Sequence, residues 1–345
     1  MPRFEIRAVT RADKPDLLEL ARFLDSVNLP NDPDAMEPII ARSEDSFHAV
    51  IDDPRRREYV FVLYDRKERR AVGTSLIVGQ LGRRDAPYIY FSVDEEERYS
   101  QTLDKHFIHK VLSIGYSYDG PTEIGGLVMH PDYRRFPGKL GMQISYVRFL
   151  FIAMERACFR DQVLAELLPP LEKDGTSLLW EAVGRRFTGM DYRAADRLSR
   201  RNKEFIRGLF PDGDIYASLL APEAQAVIGE VGPQTKGVEK LLRRIGFRYV
   251  NRVDPFDGGP HFLADTDQVS LIQAVSTKIV DEHTSGPTSR IMIGRRYPEA
   301  PWFSAATVDG HIVGDLVLIP AEELRELDLT IGEPVHVLPL HRPST

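Results

Sequence analysis

One stretch of the sequence, "EIGGLVMHPDYRRFPGKLGMQISYVRFLFIAM", constrains the fold more than any other. It begins with an apolar run of strand length, passes through a turn rich in proline, glycine and arginine, and ends in apolar residues spaced like one face of a helix. A helix that opens after such a loop presents unpaired backbone N–H groups, which favour bound phosphate. The stretch predicts a strand, loop and helix, and it leaves two interpretations of the loop open: a phosphate site or an ordinary helix entry.

The remaining segments predict strands and helices around this unit. "FEIRAVTRADKPDLLELARF" changes from alternating to helical spacing, and "EYVFVLYD" with "AVGTSLIVGQL" is typical of an antiparallel hairpin. A polar, helical insertion is predicted over about residues 170–234, followed by the helix of "GVEKLLRRI" and a hairpin that turns at "FDGGP". The fold class predicted is α/β, with a mixed, largely antiparallel sheet flanked by helices.

A small β-rich module is predicted at the C-terminal end. Gly286 and Pro287 indicate a linker, so we expect a first domain over residues 1–284 and a second over residues 285–345. Within the second, Asp309–Gly310 is the preferred sequence for a tight two-residue hairpin turn.

Composition narrows the function. The 45 Lys and Arg against 52 Asp and Glu give a net charge of −7, which disfavours nucleic acid or an acidic membrane as partner. The single cysteine, Cys158, excludes an internal disulfide and a cysteine-based zinc site, and no metal site is predicted. Arg148 interrupts the longest apolar run, and no leader-like segment precedes the first strand, so a cytoplasmic protein is expected.

The order of the predicted elements resembles the GNAT fold of acyl-CoA-dependent N-acyltransferases. More specifically, the chain resembles the arginine N-succinyltransferases through "HPDYRR", "WEAVGRRFTGMDY", "EAQAVIGEV" and "GFRYVNRVDPFDGGP". This resemblance covers most of the chain. It implies transfer of a succinyl group from succinyl-CoA to the α-amine of arginine, the first step of a succinyl-dependent arginine degradation route.

The resemblance implies where CoA binds. The CoA-binding strand of the family corresponds to Leu127 and its neighbours, and the loop approximates the GNAT phosphate pattern with its last glycine one place late. The predicted CoA-binding residues are Leu127, Val128, Met129, Arg134, Arg135, Gly138, Lys139 and Gly141. Arg134 and Arg135 are also candidates to meet the carboxylate of the succinyl group.

The family's proton donor is missing. The family has a histidine in "EVHPQT", and this chain has Gly232 in "EVGPQT", which cannot transfer a proton. Candidates to replace it are Glu123 at the start of the CoA strand, His261 after "FDGGP", and Tyr118 as a donor to the leaving thiolate. Each has a plain structural alternative: a solvated strand end, a structural imidazole and a packing side chain.

The predicted function is therefore direct acyl transfer in a ternary complex, with succinyl-CoA as co-substrate, no tightly bound cofactor, and a homo- or hetero-oligomer with a related subunit. Two alternatives stay open: a catalytically weak CoA-binding partner subunit, and a GNAT enzyme with a different amine. A basic group, Arg197, Arg200, Arg201 and Lys203, is either a second anion site or a solvated helix face.

Overall fold

The structure, a computed structural model, describes residues 2–23, 29–83, 86–199 and 202–340. The chain divides into two compact units. Unit 1 comprises Met1–Gly79, Ile124–Arg160 and Thr266–Thr345, and unit 2 comprises Gln80–Glu123 and Asp161–Asp265. The predicted domain boundary after residue 284 lies inside unit 1, and the predicted insertion over about residues 170–234 lies inside unit 2.

The chain combines strands and helices, which confirms the predicted α/β class. The described strands are β1 Phe4–Ala8, β2 Glu58–Asp65, β3 Arg70–Val78, β4 Tyr88–Ser100, β5 Lys105–Ser117, β6 Thr122–Met129, β7 Gln162–Glu166, β8 Ile215–Tyr216, β9 Arg248–Val253, β10 Pro260–Asp265, β11 Ser276–Glu282, β12 Ser289–Arg296, β13 Phe303–Val313, β14 Leu316–Ile319 and β15 Pro334–Pro339. The described helices are α1 Lys14–Ala21, α2 Pro33–Phe47, α3 Leu140–Met154, α4 Leu178–Ala182, α5 Gly184–Thr188, α6 Tyr192–Ser199, α7 Glu204–Leu209, α8 Pro222–Val227, α9 Lys236–Arg244, α10 Ser270–Gln273 and α11 Ala321–Glu326.

Unit 1 contains the sheet order β12-β15-β11-β14-β13-β1-β2-β3-β6. From β12 to β3, every neighbouring pair is antiparallel except β11 with β14, as the prediction of a largely antiparallel sheet requires. The C-terminal strands join this sheet because β13 pairs with β1, with Ile6 opposite Ala305. They also pack on α3, since a Cβ placed on Gly294 of β12 would lie 2.9 Å from Leu150.

The predicted turn at Asp309–Gly310 is wrong. Both residues lie inside β13 and pair with Arg290 and Ser289 of β12. The chain turns a few residues later, at Gly314, whose φ of 55° suits glycine. Pairing with β12 on one side overrides the local preference of the Asp-Gly sequence, because the ladder bonds extend through both residues.

Unit 2 contains the start of β6 and the order β7-β10-β9-β4-β5-β8. The pair β6 with β7 is parallel, and its register covers Thr122–Val163 and Glu123–Leu164. Helices α4 to α8 form the predicted helical segment between β7 and β9. Their apolar side chains surround Trp180, whose exposure is 0 %.

Trp180 also fixes the turn between β9 and β10. Its ring stacks on Phe256 with centroids 4.9 Å apart, and its Nε1 donates to the carbonyl of Met190 at 2.9 Å. Ser177, which caps α4, donates its hydroxyl to the Phe256 carbonyl at 2.8 Å. The helical segment therefore holds this turn by both a stacked ring and a buried hydrogen bond.

None of the helices in the described ranges is both long enough and apolar enough to span a lipid bilayer.

Candidate active site

The start of α3 has the geometry predicted for an anion site. Lys139, the residue before the helix, has a left-handed φ of 55°, and no side chain caps the first turn. Gly138 has a φ of 95°, and its carbonyl accepts a hydrogen bond from Gln143 Nε2 at 2.8 Å. Gln143 thus fastens the loop to the helix while the first backbone N–H groups point away from the helix body. The helix dipole adds a partial positive charge at the same end.

Three cations surround this helix start. Arg134, Arg135 and Lys139 are exposed, and Arg134 Nε donates to the carbonyl of Met129 at 3.3 Å. That bond ties the loop to the end of β6. Positive side chains beside unpaired amides suit a diphosphate, which needs both charge and several donors.

The end of β6 presents backbone and little side chain. Val128 is 4 % exposed and packs in the core with α1 and α2, so its side chain is turned away from solvent. Leu127, one residue earlier, is half-buried. A Cβ placed on Gly141, at the helix start, would lie 3.5 Å from the Met129 side chain. The predicted strand residues therefore lie next to the helix start in unit 1.

A second group of polar side chains lies in unit 2. Glu166 is the last residue of β7 and is opposite His261 of β10 in the antiparallel register. Asp254 follows β9, and one ligand atom from each of Glu166, Asp254 and His261 lies within 4.8 Å of the others. His261 has an exposure of 0 %, whereas the Glu166 side chain keeps 31 %. This acidic cluster, Glu166, Asp254, Asp257 and His261, is therefore open to solvent at Glu166 and partly at Asp254.

The β9–β10 turn positions its two carboxylates through its own backbone. Asp254 accepts from the backbone N–H of Phe256 at 2.6 Å, and Asp257 accepts from that of Gly259 at 2.8 Å. Phe256, between them, is the residue held by Trp180. The carboxylates consequently cannot move apart without breaking the packing of the helical segment.

Crowding of these acids raises their pKa values. Burial, followed by the charges of Glu123 and Asp254, raises the pKa of Glu166 well above its ordinary range, and Lys203 opposes part of that rise. Burial and then Asp254 raise the pKa of Asp257 in the same way, and burial raises that of Asp254. A cluster of this kind binds protons or another cation more readily than isolated carboxylates do.

The His261 imidazole is neutral. Burial, assisted by the positive charges of Arg252 and Lys203, lowers its pKa to about 3. Tyr88 lies 2.6 Å from His261 Nδ1 and also receives a hydrogen bond from Arg252. Because Arg252 can only donate, the Tyr88 hydroxyl hydrogen is left for Nδ1, and the remaining ring hydrogen is on Nε2. Nε2 lies 3.5 Å from Glu166 Oε1 and has no hydrogen-bond partner.

The structure places the three candidates from the sequence, Glu123, His261 and Tyr118, in different surroundings. His261 belongs to the cluster, and Glu123, 6 % exposed, acts on it electrostatically. Tyr118 is 46 % exposed beyond β5, and no contact that defines the cluster involves it. Sequence reasoning missed Glu166 and Asp254. Their signal is an acidic residue directly after an apolar strand, in "VLAE" and "YVNRVD".

The members of the basic group on the helical segment also differ in their surroundings. Arg197 is exposed on α6, and Arg200 and Arg201 lie outside the described residues. Lys203 is half-buried, and its charge lowers the pKa of both Glu166 and Asp254. Lys203 therefore balances the acidic cluster electrostatically.

Gly232 lies where a side chain does not fit. Its N–H donates to the carbonyl of Leu168 at 2.8 Å, and a Cβ would lie 2.6 Å from the carbonyl oxygen of Pro169. The neighbouring Thr235 hydroxyl also donates to Leu168, at 3.0 Å. The backbone after β7 thus occupies the space that an imidazole at position 232 would need.

The parallel pair of β6 and β7 decides the class of protein. Their register ends at Glu123, and β6 continues for six residues to Met129 before the basic loop and the uncapped α3. A strand that leaves a parallel neighbour and leads to a phosphate-binding helix start is the arrangement of GNAT-type acyl-CoA N-acyltransferases.

Comparison with known proteins gives the family. A family model described as "Arginine N-succinyltransferase beta subunit" matches residues 4–271. The arginine N-succinyltransferase of Yersinia pestis is 31 % identical over 351 residues, which is 99 % of each chain. The beta subunit of the Pseudomonas aeruginosa enzyme is 33 % identical over 97 % of this chain and 98 % of its own length.

A solved structure agrees with the sequence comparisons. Subunit AI of the arginine/ornithine succinyltransferase of Pseudomonas aeruginosa has a TM-score of 0.83 and 26 % identity, with 99 % of each chain covered. The chain belongs to the arginine N-succinyltransferase family, a family of acyltransferases.

Replacing Gly232 tests the closed space around it. Gly232→Ala is expected to lower the free energy of unfolding by about 1–3 kcal/mol, because the new Cβ overlaps a backbone carbonyl. Gly232→His is expected to lower it further. Denaturant unfolding measures both. Gly237→Ala is the control, since nothing lies within 4 Å of its Cβ position in α9, and it should be neutral or slightly stabilising. Unchanged stability of Gly232→Ala would contradict the geometry.

The pKa of His261 predicts a pH effect on stability. A group whose folded pKa is lowered stabilises the fold above its unfolded pKa, and that stabilisation is lost as the pH falls toward the folded value, here from about 6.5 to about 3. Between pH 7 and pH 5 the wild type should lose about 2 kcal/mol more unfolding free energy than His261→Asn. Chemical denaturation at both pH values measures the difference. His106→Asn, on the exposed β5, is the control and should keep the wild-type pH slope.

Proposed function

We propose that this protein transfers a succinyl group from succinyl-CoA to the α-amine of arginine or a closely related cationic amino acid. The observation that carries the proposal is the acidic cluster around Glu166, a partly open group of carboxylates with raised pKa values in a chain of this family. Such a group both attracts a cationic amine and accepts a proton from it.

The acyl donor binds to unit 1. Its diphosphate accepts hydrogen bonds from the N–H groups at the start of α3, and Arg134, Arg135 and Lys139 supply the opposite charge. Its pantetheine chain follows the backbone of β6 at Leu127, a half-buried residue that comes directly after Gly125 and Gly126. In this proposal Gly138 gives the loop its left-handed turn, and Gly141 keeps the first helical turn free of a side chain.

The amine binds to unit 2. Glu166 and Asp254 meet the positive charge of the incoming amino acid, which relieves their mutual repulsion and favours the ionised carboxylates.

Glu166 is the proposed general base in place of the missing histidine. It takes one proton from the ammonium, the amine nitrogen then forms a bond to the thioester carbon, and the carbon–sulfur bond breaks. The nitrogen loses its second proton to the departing sulfur, so that CoA leaves as the free thiol. A raised pKa makes Glu166 a stronger base than an ordinary carboxylate, so proton transfer is easier near neutral pH. His261 is neutral and acts as a positioning residue, because its Nε2–H faces Glu166 while Tyr88 fixes its ring.

Glu166→Gln tests both the activity and the base. With succinyl-CoA and arginine, the wild type should release free thiol well above thioester hydrolysis, and Glu166→Gln should lower kcat by about 10²- to 10⁴-fold, the range of a lost general base. Thiol release is followed with a chromogenic disulfide. Asp265→Asn, at the exposed end of β10, is the control and should keep the wild-type rate. If the wild type shows no turnover with arginine or other cationic amino acids, the proposed activity is wrong. If the wild type turns over and Glu166→Gln is equally active, only the assignment of Glu166 as the base is wrong.

We also propose that the chain assembles with a second copy of itself through the tip of the β4–β5 hairpin. Beyond their contacts with β9 and β8, these strands pair with each other over Glu95–Ser100 and Lys105–Lys110. An isolated two-stranded ribbon is marginal in water. Its tip nevertheless exposes four large apolar side chains, Tyr99 (60 %), Leu103 (67 %), Phe107 (55 %) and Ile108 (55 %). Such a patch is typical of an interface.

Light scattering during size-exclusion chromatography tests the assembly. The wild type should have at least twice the mass of one chain, and the double variant Phe107→Ser with Ile108→Ser should have the monomer mass at the same concentration. The control, Val313→Ser, removes an exposed apolar side chain from unit 1 and should keep the wild-type mass. A monomeric wild type would show the tip to be unpartnered in the isolated protein.

A further inference from the structure

Arg148 is a buried cation in the middle of α3. Its exposure is 2 %, and it extends from the helix toward β6 within unit 1. Its Nε and Nη2 donate to the carbonyl and the hydroxyl of Ser145, at 3.1 and 2.8 Å. Its Nη1 approaches the carbonyl of Gly125 at 3.5 Å, a long contact.

No anion balances this guanidinium. Within the described part of the chain, no carboxylate forms an ion pair with Arg148, and burial alone accounts for the lowering of its pKa to about 9. A guanidinium has five N–H groups, and the three bonds above leave two of them unused. Buried charges in proteins are normally paired, so an uncompensated one is costly and calls for a counter-ion.

The part of β6 beside Arg148 consists of two glycines. Gly125 and Gly126 are adjacent and half-buried, and Gly126 has a left-handed φ of 55°. A Cβ on Gly126 would lie 2.8 Å from Leu76, so the position excludes any larger residue. Two glycines therefore leave a stretch of exposed backbone on β6 immediately before Leu127, where the acyl donor is proposed to lie.

We propose that Arg148 is the counter-ion of the free carboxylate at the end of a dicarboxylic acyl group carried by CoA. The inference rests on the proposed function and names the residue that selects the acyl group. The two unused N–H groups match a carboxylate, which accepts two parallel hydrogen bonds from arginine. Arg134 and Arg135, the sequence candidates for this carboxylate, are exposed and adjoin the diphosphate site, so water and salt weaken their selectivity.

Binding of two matched acyl-CoA compounds tests the inference without an amine. Butyryl-CoA has a methyl group where succinyl-CoA has its carboxylate, and the two are otherwise alike. By isothermal titration calorimetry, the wild type should bind succinyl-CoA at least about 30-fold more tightly than butyryl-CoA. Arg148→Met should weaken the binding of succinyl-CoA by about 100-fold and change the affinity for butyryl-CoA by less than about threefold. Arg148→Lys, which keeps the charge but loses the paired donors, should give intermediate discrimination.

The controls separate a folding defect from a lost contact. Arg148→Met removes an unpaired buried charge, so it should fold with a melting temperature near that of the wild type. Arg57→Met, a half-buried arginine of unit 1 that donates to the Ile51 carbonyl, should keep the wild-type discrimination. Equal affinity of the wild type for the two compounds overturns the inference whether or not the variants fold. An equal loss of affinity for both compounds in Arg148→Met overturns it as well.

Failure of the proposed function gives a different result. If the wild type prefers succinyl-CoA and Arg148→Met abolishes that preference, the acyl site stands even when no amine is succinylated. If arginine is succinylated but butyrylated equally well, the activity stands and Arg148 has no role in donor selection.

Discussion

Repulsion among crowded carboxylates is the constraint on which unit 2 depends. Glu166 ends β7, and Asp254 and Asp257 lie in the β9–β10 turn. Burial raises the pKa of all three, and neighbouring acids raise those of Glu166 and Asp257 further. Left to themselves they would separate into water. The turn amides, the stacked Trp180 and Phe256, and the buried hydroxyl of Ser177 hold them together. The helical segment therefore keeps these acidic groups close together, and in the proposed function a cationic substrate relieves their repulsion.

Unit 1 has the opposite arrangement, with positive charge gathered near the start of α3. An uncapped helix start, three exposed cations and one buried guanidinium all lie along β6 or α3. Solvent screens the charges of the exposed cations and hardly reaches that of the buried Arg148. In the proposed function, the negatively charged donor meets the positive charge of unit 1, and the positively charged acceptor meets the acidic cluster of unit 2.

The sequence predicted the local pieces well because each depends on near neighbours. The strand, loop and helix through Arg135 and Gly138 follow from apolar periodicity and glycine placement, and the family was identified from short stretches. Glu166 and Asp254 escaped prediction because only strand pairing across about ninety residues brings them together. Asp309–Gly310 was misjudged for the same reason, since its partner strand decides its conformation. Long-range pairing carries information that no local window contains.

The closed space at Gly232 limits how a histidine can be accommodated at that position. The carbonyls of Leu168 and Pro169 occupy the space, so an imidazole there requires the backbone to shift. His261 lies in the same unit and is already locked by Tyr88. A mutation that introduces histidine at position 232 therefore needs a second change, in the backbone after β7, before the new ring fits without strain.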